Sequence, residues 1–482
     1  MAKKPVTLDA NGHPKFGMRD KIAYAAGDFG CNMSFGLKGT VQNFWLIYMM
    51  METGLLSILL LVVQAWDAIN DPIIGAMIDA DTKRYKRGKF KTYILIGAIG
   101  LIVGGAAVFM PFPGANQVVK AMLFIVGYVI WDAAYTMANV PYGSMMSLVT
   151  EDAGERAQLS TWRSIGGMVG GMLPGIILPM LIWKDVFDAN GNLLGQELQG
   201  GTVFWVALLM GFIGFAAFMF MIKTITLRVD EYSVKTGEET AKFNVMQAFG
   251  NFMKNRPAVG ATVAAMGMFL GMQSATTANS IMFATYFKQA QLSGLVMLVG
   301  FLPMFIFMPF VKKLVDRFGK KEASTAGTIV SLIGGAIMLV FPTVPMNLAL
   351  PVYMVGLLLF GLGMGVYTCV SWALMADAID YSEWKFGKRE EGTVYSLHSF
   401  FRKLAQGIGP SMVIALLGVL GYVESAGTTG QTPEMAHNAC WLVAGLYMFS
   451  AVMQFVGIGL IFNLDKKTLA VMNEELRARR GE

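Results

Sequence analysis

The chain predicts an all-α membrane protein of twelve transmembrane helices arranged as two six-helix halves, and three observations predict it. The first is composition: of 482 residues, 55% are hydrophobic and only 15% charged, against roughly 25% charged in soluble domains. The second is that apolar stretches of about 20 residues recur along nearly the whole length, each long enough to cross about 30 Å of hydrocarbon. The third is that lysine and arginine gather in alternate connecting segments. A spanning segment has no water to satisfy its backbone, so it must be a helix or part of a closed barrel. The stretches lack the two-residue alternation of barrel strands, which leaves helices.

Taken in order, residues 1–20 are polar and carry Lys3, Lys4, Lys15 and Arg19. No cleavable signal peptide is expected there, and the N-terminus is expected in the cytoplasm. Twelve apolar segments follow, centred near residues 35, 66, 102, 132, 172, 212, 272, 302, 333, 362, 408 and 450. With both termini inside, the cytoplasmic segments hold 31 of the 38 basic residues, and the external loops hold only Lys120, Lys184 and Lys288. Lys38, Arg163, Arg402 and Lys403 fall within spans. The net charge of +6 is therefore read as the cytoplasmic rim of an inner-membrane protein, not as a nucleic-acid footprint. The expected domains are residues 1–224, a cytoplasmic linker over 225–256, and residues 257–482. The linker divides six spans from six, and its second part, Phe243 to Phe252, has the spacing of an interfacial amphipathic helix; a solvated tether is the alternative. Cys31, Cys369 and Cys440 are far apart, so neither a disulfide framework nor a metal cluster is expected.

Three pieces of the first half recur in order in the second. Met77-Ile78-Asp79 before a basic turn is matched by Leu314-Val315-Asp316 before Arg317 to Lys321. Val140-Pro141-Tyr142-Gly143-Ser144-Met145 is echoed by Val370-Ser371-Trp372-Ala373-Leu374-Met375, and Ser160-Thr161-Trp162-Arg163 by Ser399-Phe400-Phe401-Arg402. Six spans per repeat is an even number, so the halves keep one orientation and are related by a pseudo-two-fold axis along the membrane normal. That is the parallel repeat of the major facilitator fold, with a site expected between the halves near mid-membrane. Gly166 and Gly170, with Gly167, Gly171 and Gly175, give small-xxx-small spacing for close helix packing in span five. A moving interface is the sharper reading of the same spacing, and Pro174 marks a potential kink.

Chemistry is expected where polar groups sit at membrane depth. A carboxylate there costs about 2.5–3.5 kcal/mol on insertion scales. Asp67 and Asp71 of span two stand at i and i+4 and share a helix face. Both cannot comfortably stay ionised, so one is protonated or a cation sits between them; a structural salt bridge to Lys403 or Arg402 is the plain alternative. Asp132, Thr136 and Asn139 line a matching face of span four. This oxygen set suits a hard monovalent cation, while a proton needs only a carboxyl, and the residues leave H⁺ and Na⁺ open. Asn32, Arg163, His398, Arg402 and Lys403 offer amide, imidazole and cationic groups for a polyhydroxylated or anionic solute. Trp131, Tyr135, Trp162 and Trp372 can stack on a sugar face or simply pack. Asp377, Asp380 and Arg402 are the candidate cytoplasmic gate, beside the charged run Lys385 to Glu391.

Several strings resemble one family: Gly27-Asp28-Phe29-Gly30 with Asn32, Trp66-Asp67-Ala68-Ile69-Asn70-Asp71-Pro72-Ile73, Arg87-Gly88-Lys89-Phe90-Lys91, Glu155-Arg156-Ala157-Gln158-Leu159, and Ala376-Asp377-Ala378-Ile379-Asp380-Tyr381-Ser382-Glu383-Trp384. They resemble the glycoside–pentoside–hexuronide:cation symporters, the group containing melibiose permease, over nearly the whole chain. The resemblance implies sugar symport with Na⁺, Li⁺ or H⁺. It implies a cation site at Asp67 and Asp71 with Thr136 nearby, and places Asn32, Asn139, Arg163 and Lys403 around the sugar. Where melibiose permease has aspartates, this chain has the amides Asn32 and Asn139. A less negative pocket follows, which favours an anionic glycoside such as a hexuronide, and Asp132 is the candidate to replace the missing acid.

The leading reading is secondary symport of a sugar or glycoside with a monovalent cation. Proton-coupled export of an amphiphile is the alternative mode. A membrane enzyme ranks lower, because the chain has no P-loop, zinc-type histidine pair or serine nucleophile elbow, and a receptor would carry a sizeable soluble domain. No cofactor beyond the co-transported ion is expected, and the expected partners are the sugar, the cation and the lipid bilayer around a monomeric chain.

Overall fold

The structure, a computed structural model, describes residues 14–150, 152–229, 245–387 and 391–480. Contacts divide the chain into two compact units, one of residues 1–184 with 198–239, the other of residues 185–197 with 240–482.

In the first unit, α1 (Met18–Phe35) gives way after Gly36 to a short α2 (Lys38–Asn43), which ends in a π-helical turn over Phe44–Tyr48. Single π-helical turns inside helices are frequent at functional sites. The unit continues with α3 (Thr53–Ala80), α4 (Lys89–Val108), α5 (Gln117–Ser144), a one-turn α6 (Met146–Val149), α7 (Ala153–Ile182) and, after a hairpin, α8 (Gly200–Thr224). Capping starts two of the long helices: Asn116 accepts from the Val119 amide at 2.9 Å, and Asp152 from the Glu155 amide at 2.8 Å, each satisfying an orphan N–H. Pro72 stands inside α3 and Pro174 inside α7, neither of which is divided there.

The hairpin, β1 (Trp183–Phe187) with β2 (Leu193–Leu198), turns through Gly191 at φ 81°. Residues 185–197 of it group with the second unit. There Gln196 accepts from the Gln291 amide at 2.9 Å, and its carbonyl accepts from Thr428 at 2.7 Å.

The second unit opens with α9 (Val245–Lys254). Its Phe252 is buried and stacks on Phe401 with ring centres 6.3 Å apart, so this part of the expected linker is a packed helix. Phe243 and residues 230–244 lie outside the described residues. Then come α10 (Arg256–Met268), a π-helical turn over Phe269–Gln273, α11 (Ser274–Thr285), α12 (Leu292–Phe318) and α13 (Lys320–Val340). The 41-residue α14 (Met346–Phe386), α15 (Glu391–Val419), α16 (Pro433–Phe455) with a π-helical end over Val456–Ile461, and a tail helix α17 (Lys466–Arg480) complete it. The tail is docked: Met472 and Leu476 are buried, and Trp384 donates to Glu475 at 2.7 Å.

Every predicted span centre falls within one of these helices. Among the described residues, nine helices are long and apolar enough to cross a membrane. The predicted first span is broken into α1, α2 and the π turn, and α15 carries His398, Arg402 and Lys403. The apolar exterior fits lipid: on α8, Trp205, Leu209, Phe212 and Phe220 are all exposed, a band that water would not tolerate.

The duplication appears in the packing of each unit. In the first, α4 packs on α5, α3 on α5, α1 on α7 and α8, and α4 on α8. In the second, α13 packs on α14, α12 on α14, α10 on α15 and α16, and α13 on α16. Small residues allow the close approach in both. A Cβ on Gly166 would meet the Ala25 carbonyl of α1, and one on Gly170 the Phe29 carbonyl. The Gly166/Gly170 spacing is thus a packing seam between α7 and α1.

Candidate functional site

Packing α3 beside α5 brings the predicted acids together. Thr136 donates to Asp71 at 2.9 Å, and its own oxygen accepts from the Asn70 amide nitrogen at 2.9 Å. Asn70 also reaches the Asp132 carboxylate at 3.3 Å and its carbonyl at 3.5 Å. The Asp67 charge acts on Asp132, and Gln64 donates to Asp67 at 3.3 Å. Carboxylates gathered in this way repel one another unless a proton or a cation neutralises one of them. Three acids, one hydroxyl and one bridging amide therefore form a continuous polar cluster in two membrane-spanning helices. Asn139, expected beside it, is half-buried one turn beyond Thr136 on α5.

Two of these groups escaped the residue-by-residue reading. Asn70 sits between the paired aspartates in the sequence, yet only the packing shows it as the group that ties α3 to α5. Lys38 was recognised only as a cation within a span. Its ammonium lies 4.8 Å from the Phe35 ring centre, and the charges of Asp67, Asp132 and Asp71 act on it.

A second cluster forms where α1 meets α7. Arg163 donates through Nε to Asp28 at 3.1 Å and stands over the Tyr142 ring at 5.1 Å. Asn32 donates to the Asp28 carboxylate at 3.2 Å and to its carbonyl at 2.9 Å. Tyr24 and Tyr142 stack at 4.6 Å and exchange hydroxyl-to-carbonyl hydrogen bonds of 3.1 and 2.7 Å. The expectation of a less negative surrounding for Arg163 is corrected here. Asp28 is four residues before Asn32, and this i, i+4 spacing puts a carboxylate back beside the amide.

In the second unit, Thr262 and the His398 Nδ1 are 2.9 Å apart. Arg402 lies over Trp372 and Phe269, at 5.5 and 5.6 Å from the ring centres, and among the described residues its buried Nε has no hydrogen-bond partner. Trp372 is 49% exposed and stacks on Tyr395 at 5.7 Å. Asp377 receives Lys320 through both oxygens, at 2.7 and 2.8 Å. The grouping of Arg402 with Asp377 at a gate is corrected to that extent: Lys320 of α13 neutralises Asp377, and Arg402 turns to aromatic faces. Asp380 and Lys403 are both half-buried, on α14 and α15. Lys388 to Glu390 lie outside the described residues. Of the aromatic candidates, Trp131 is 3% exposed, edge-on to Tyr128, with its backbone against Gly104, which is a packing role. Tyr135 is half-buried and tilted on Phe35 at 6.1 Å.

Known proteins are similar to this chain in sequence and fold. The family described as MFS/sugar transport protein matches residues 23–466. An uncharacterized symporter, YnaJ, of Bacillus subtilis is 29% identical, over 96% of each chain. A putative 2,3-dihydroxypropane-1-sulfonate exporter of Salmonella typhimurium is 26% identical over 96% of each, and a glucuronide carrier protein homolog of Escherichia coli is 26% identical over 95% of each. In fold, the chain is similar to the xylose transporter XylE from E. coli in an inward open conformation, with a TM-score of 0.57 at 14% identity, covering 94% of this chain and 98% of that one. An acidic cluster inside membrane-spanning helices, a duplicated six-helix packing and a family match across nearly the whole length lead to one conclusion: this chain belongs to the MFS/sugar transport protein family of multi-pass membrane transporters, within the glycoside–pentoside–hexuronide:cation symporters, and is not an enzyme.

Proposed function

We propose that this transporter imports a sugar or glycoside together with a monovalent cation by alternating access. It would lie in the inner membrane with both termini in the cytoplasm. The observation that carries the reading is Asp71 and Asp132 joined through Asn70 and Thr136, with Asp67 one turn before Asp71 on the same helix. Such a cluster is costly in a membrane unless a cation or proton neutralises it, and a site that must be neutralised is one that can couple. Linkage then requires the sugar and the cation to raise each other's affinity by the same factor. Asp67→Asn should abolish uphill accumulation in right-side-out vesicles while leaving sugar exchange; full concentrative uptake by that variant would contradict the scheme.

For the substrate class, an anionic glycoside is favoured. Arg163 has its carboxylate in Asp28, whereas the unsatisfied Nε of Arg402, beside the exposed Trp372 face, suits a carboxylate or sulfonate on a stacked sugar ring. A relative named as a glucuronide carrier protein homolog supports the same class. A glucuronide should compete for uptake at least tenfold better than the matching glucoside, and a clear preference for the neutral sugar would retire the idea. Proton-coupled export is the second reading, favoured by a relative named as an exporter. The direction of solute-coupled proton movement in vesicles separates the two.

A further inference from the structure

A cavity of about 270 Å³ lies in the first unit where the start of α4 meets the end of α8, lined by Arg87, Lys91, Met219, Ile222 and Lys223. Three of these side chains are basic and two apolar. The two helices pack together. α4 runs 20 residues from Lys89 and α8 runs 25 residues to Thr224, each long enough to cross the hydrocarbon. Their adjoining ends, and the cavity with them, therefore lie at the level of lipid headgroups.

The helices that form the cavity do not cancel its charge. Neither α4 nor α8 contains an aspartate or a glutamate. Asp81, the last acid before α4, is taken by other groups: it accepts from the Tyr85 and Tyr93 hydroxyls at 2.6 and 2.8 Å and from the Lys83 amide at 2.9 Å. Lys91 donates to the Ile225 carbonyl at 2.9 Å, which holds its ammonium between the two helix ends. Arg87 and Lys223 are exposed, and among the described residues neither has an ion pair or a hydrogen bond.

The apolar part of the cavity continues along α8. Lys223, Met219, Ala216 and Phe212 follow one another at spacings of four, three and four residues, which keeps them on one helix face. Ala216 and Phe212 are exposed, and α4 adds the exposed Ile96, Ile99 and Val103. A free phosphate would use only the basic end of this arrangement, whereas a phospholipid uses both ends. Guanidinium and ammonium groups suit a phosphate, and basic pockets between spanning helices are a setting in which anionic headgroups bind.

We propose that the groove between α4 and α8 is a binding site for one anionic phospholipid. Arg87, Lys91 and Lys223 hold the headgroup phosphate, and an acyl chain lies along Met219 and Phe212. So seated, the lipid bridges the ends of two spans, and the folded protein gains stability from binding it.

The experiment uses purified full-length protein in a neutral detergent. Phosphatidylglycerol or phosphatidylcholine of the same acyl chains is titrated in at constant ionic strength. Native mass spectrometry counts the lipids retained, and the thermal unfolding midpoint is read in parallel. Wild type should retain one phosphatidylglycerol at least about tenfold more tightly than phosphatidylcholine, with a midpoint that rises with the anionic lipid. Arg87→Ala combined with Lys223→Ala should lose that preference, and Arg87→Gln with Lys223→Gln serves if the alanine protein does not fold. Lys83→Ala combined with Lys86→Ala removes the same charge from exposed positions of the same turn that do not line the cavity, and should keep the preference. Equal retention of the two lipids by wild type would overturn the proposal. So would loss of the preference in the Lys83 and Lys86 variant as complete as in the Arg87 and Lys223 variant, which marks diffuse surface charge. A rise in midpoint with inorganic phosphate equal to that with the lipid would overturn it too, since the site would then be one for a free anion. Neither readout involves a sugar or a coupling ion, so the result stands apart from the symport reading.

Discussion

Asn70 links the two helices of the acidic cluster through a single side chain, giving hydrogen bonds to Asp132 and Thr136. Hydrogen bonds to charged groups contribute about 1.5–3 kcal/mol each, so Asn70→Ala should weaken coupling-ion affinity by at least about tenfold. The half-saturating concentration of the coupling cation for uptake measures this, and an unchanged value would show that Asn70 only fills space. Much of this cluster could be read beforehand. Asp67 and Asp71 are predictable because two carboxylates at i and i+4 in an apolar run have no inexpensive explanation. Asp132 and Thr136 follow from the same logic on α5. Asn70 and Asp28 could not be ranked in the same way. Each lies inside its helix, and its partner lies on another helix that sequence spacing does not locate. For Arg402 the sequence supplied depth but not direction: it was grouped with Asp377, while Lys320 takes that carboxylate and the guanidinium faces Trp372 and Phe269.

At the scale of the element, the seam between α1 and α7 is tightly constrained by glycine. Side chains on Gly166 or Gly170 would collide with backbone carbonyls of α1, which cannot swing aside as a flexible side chain can. Gly166→Leu should therefore cost at least about 1–3 kcal/mol of stability through overpacking. It should also disturb the Asp28–Arg163 pair, which spans the same two helices. Thermal unfolding of purified protein tests the first effect, and a lowering of several degrees is expected. The small-residue spacing made this seam predictable, because close helix packing in lipid depends on small residues. The helix at residues 245–254 was half-legible. Its apolar spacing announced an amphipathic helix, but the burial of Phe252 against Phe401 required knowing where α15 runs. The docked tail helix α17 gave no comparable signal, since its run of Lys, Glu and Arg around Met472 and Leu476 reads equally well as a solvated end.

On the scale of the whole molecule, we propose from the distribution of lysine and arginine that both termini lie in the cytoplasm. A cysteine introduced at the exposed Lys184 should react with an impermeant maleimide in intact cells, whereas one at the exposed Lys86 should react only after lysis. The reverse pattern would invert the orientation argued from the basic residues. What the sequence by itself determined is what the bilayer imposes locally: each segment must be apolar, about 20 residues long and helical, because no water is present to satisfy its backbone. That constraint acts on one segment at a time, so membrane class, internal duplication and the paired acids of α3 were all visible in one dimension. What only the tertiary structure decided is which polar groups meet. The rotation of a helix about its axis is set by packing against its neighbours, and packing is what carries Asn70 to Asp132, Asp28 to Arg163 and Lys320 to Asp377.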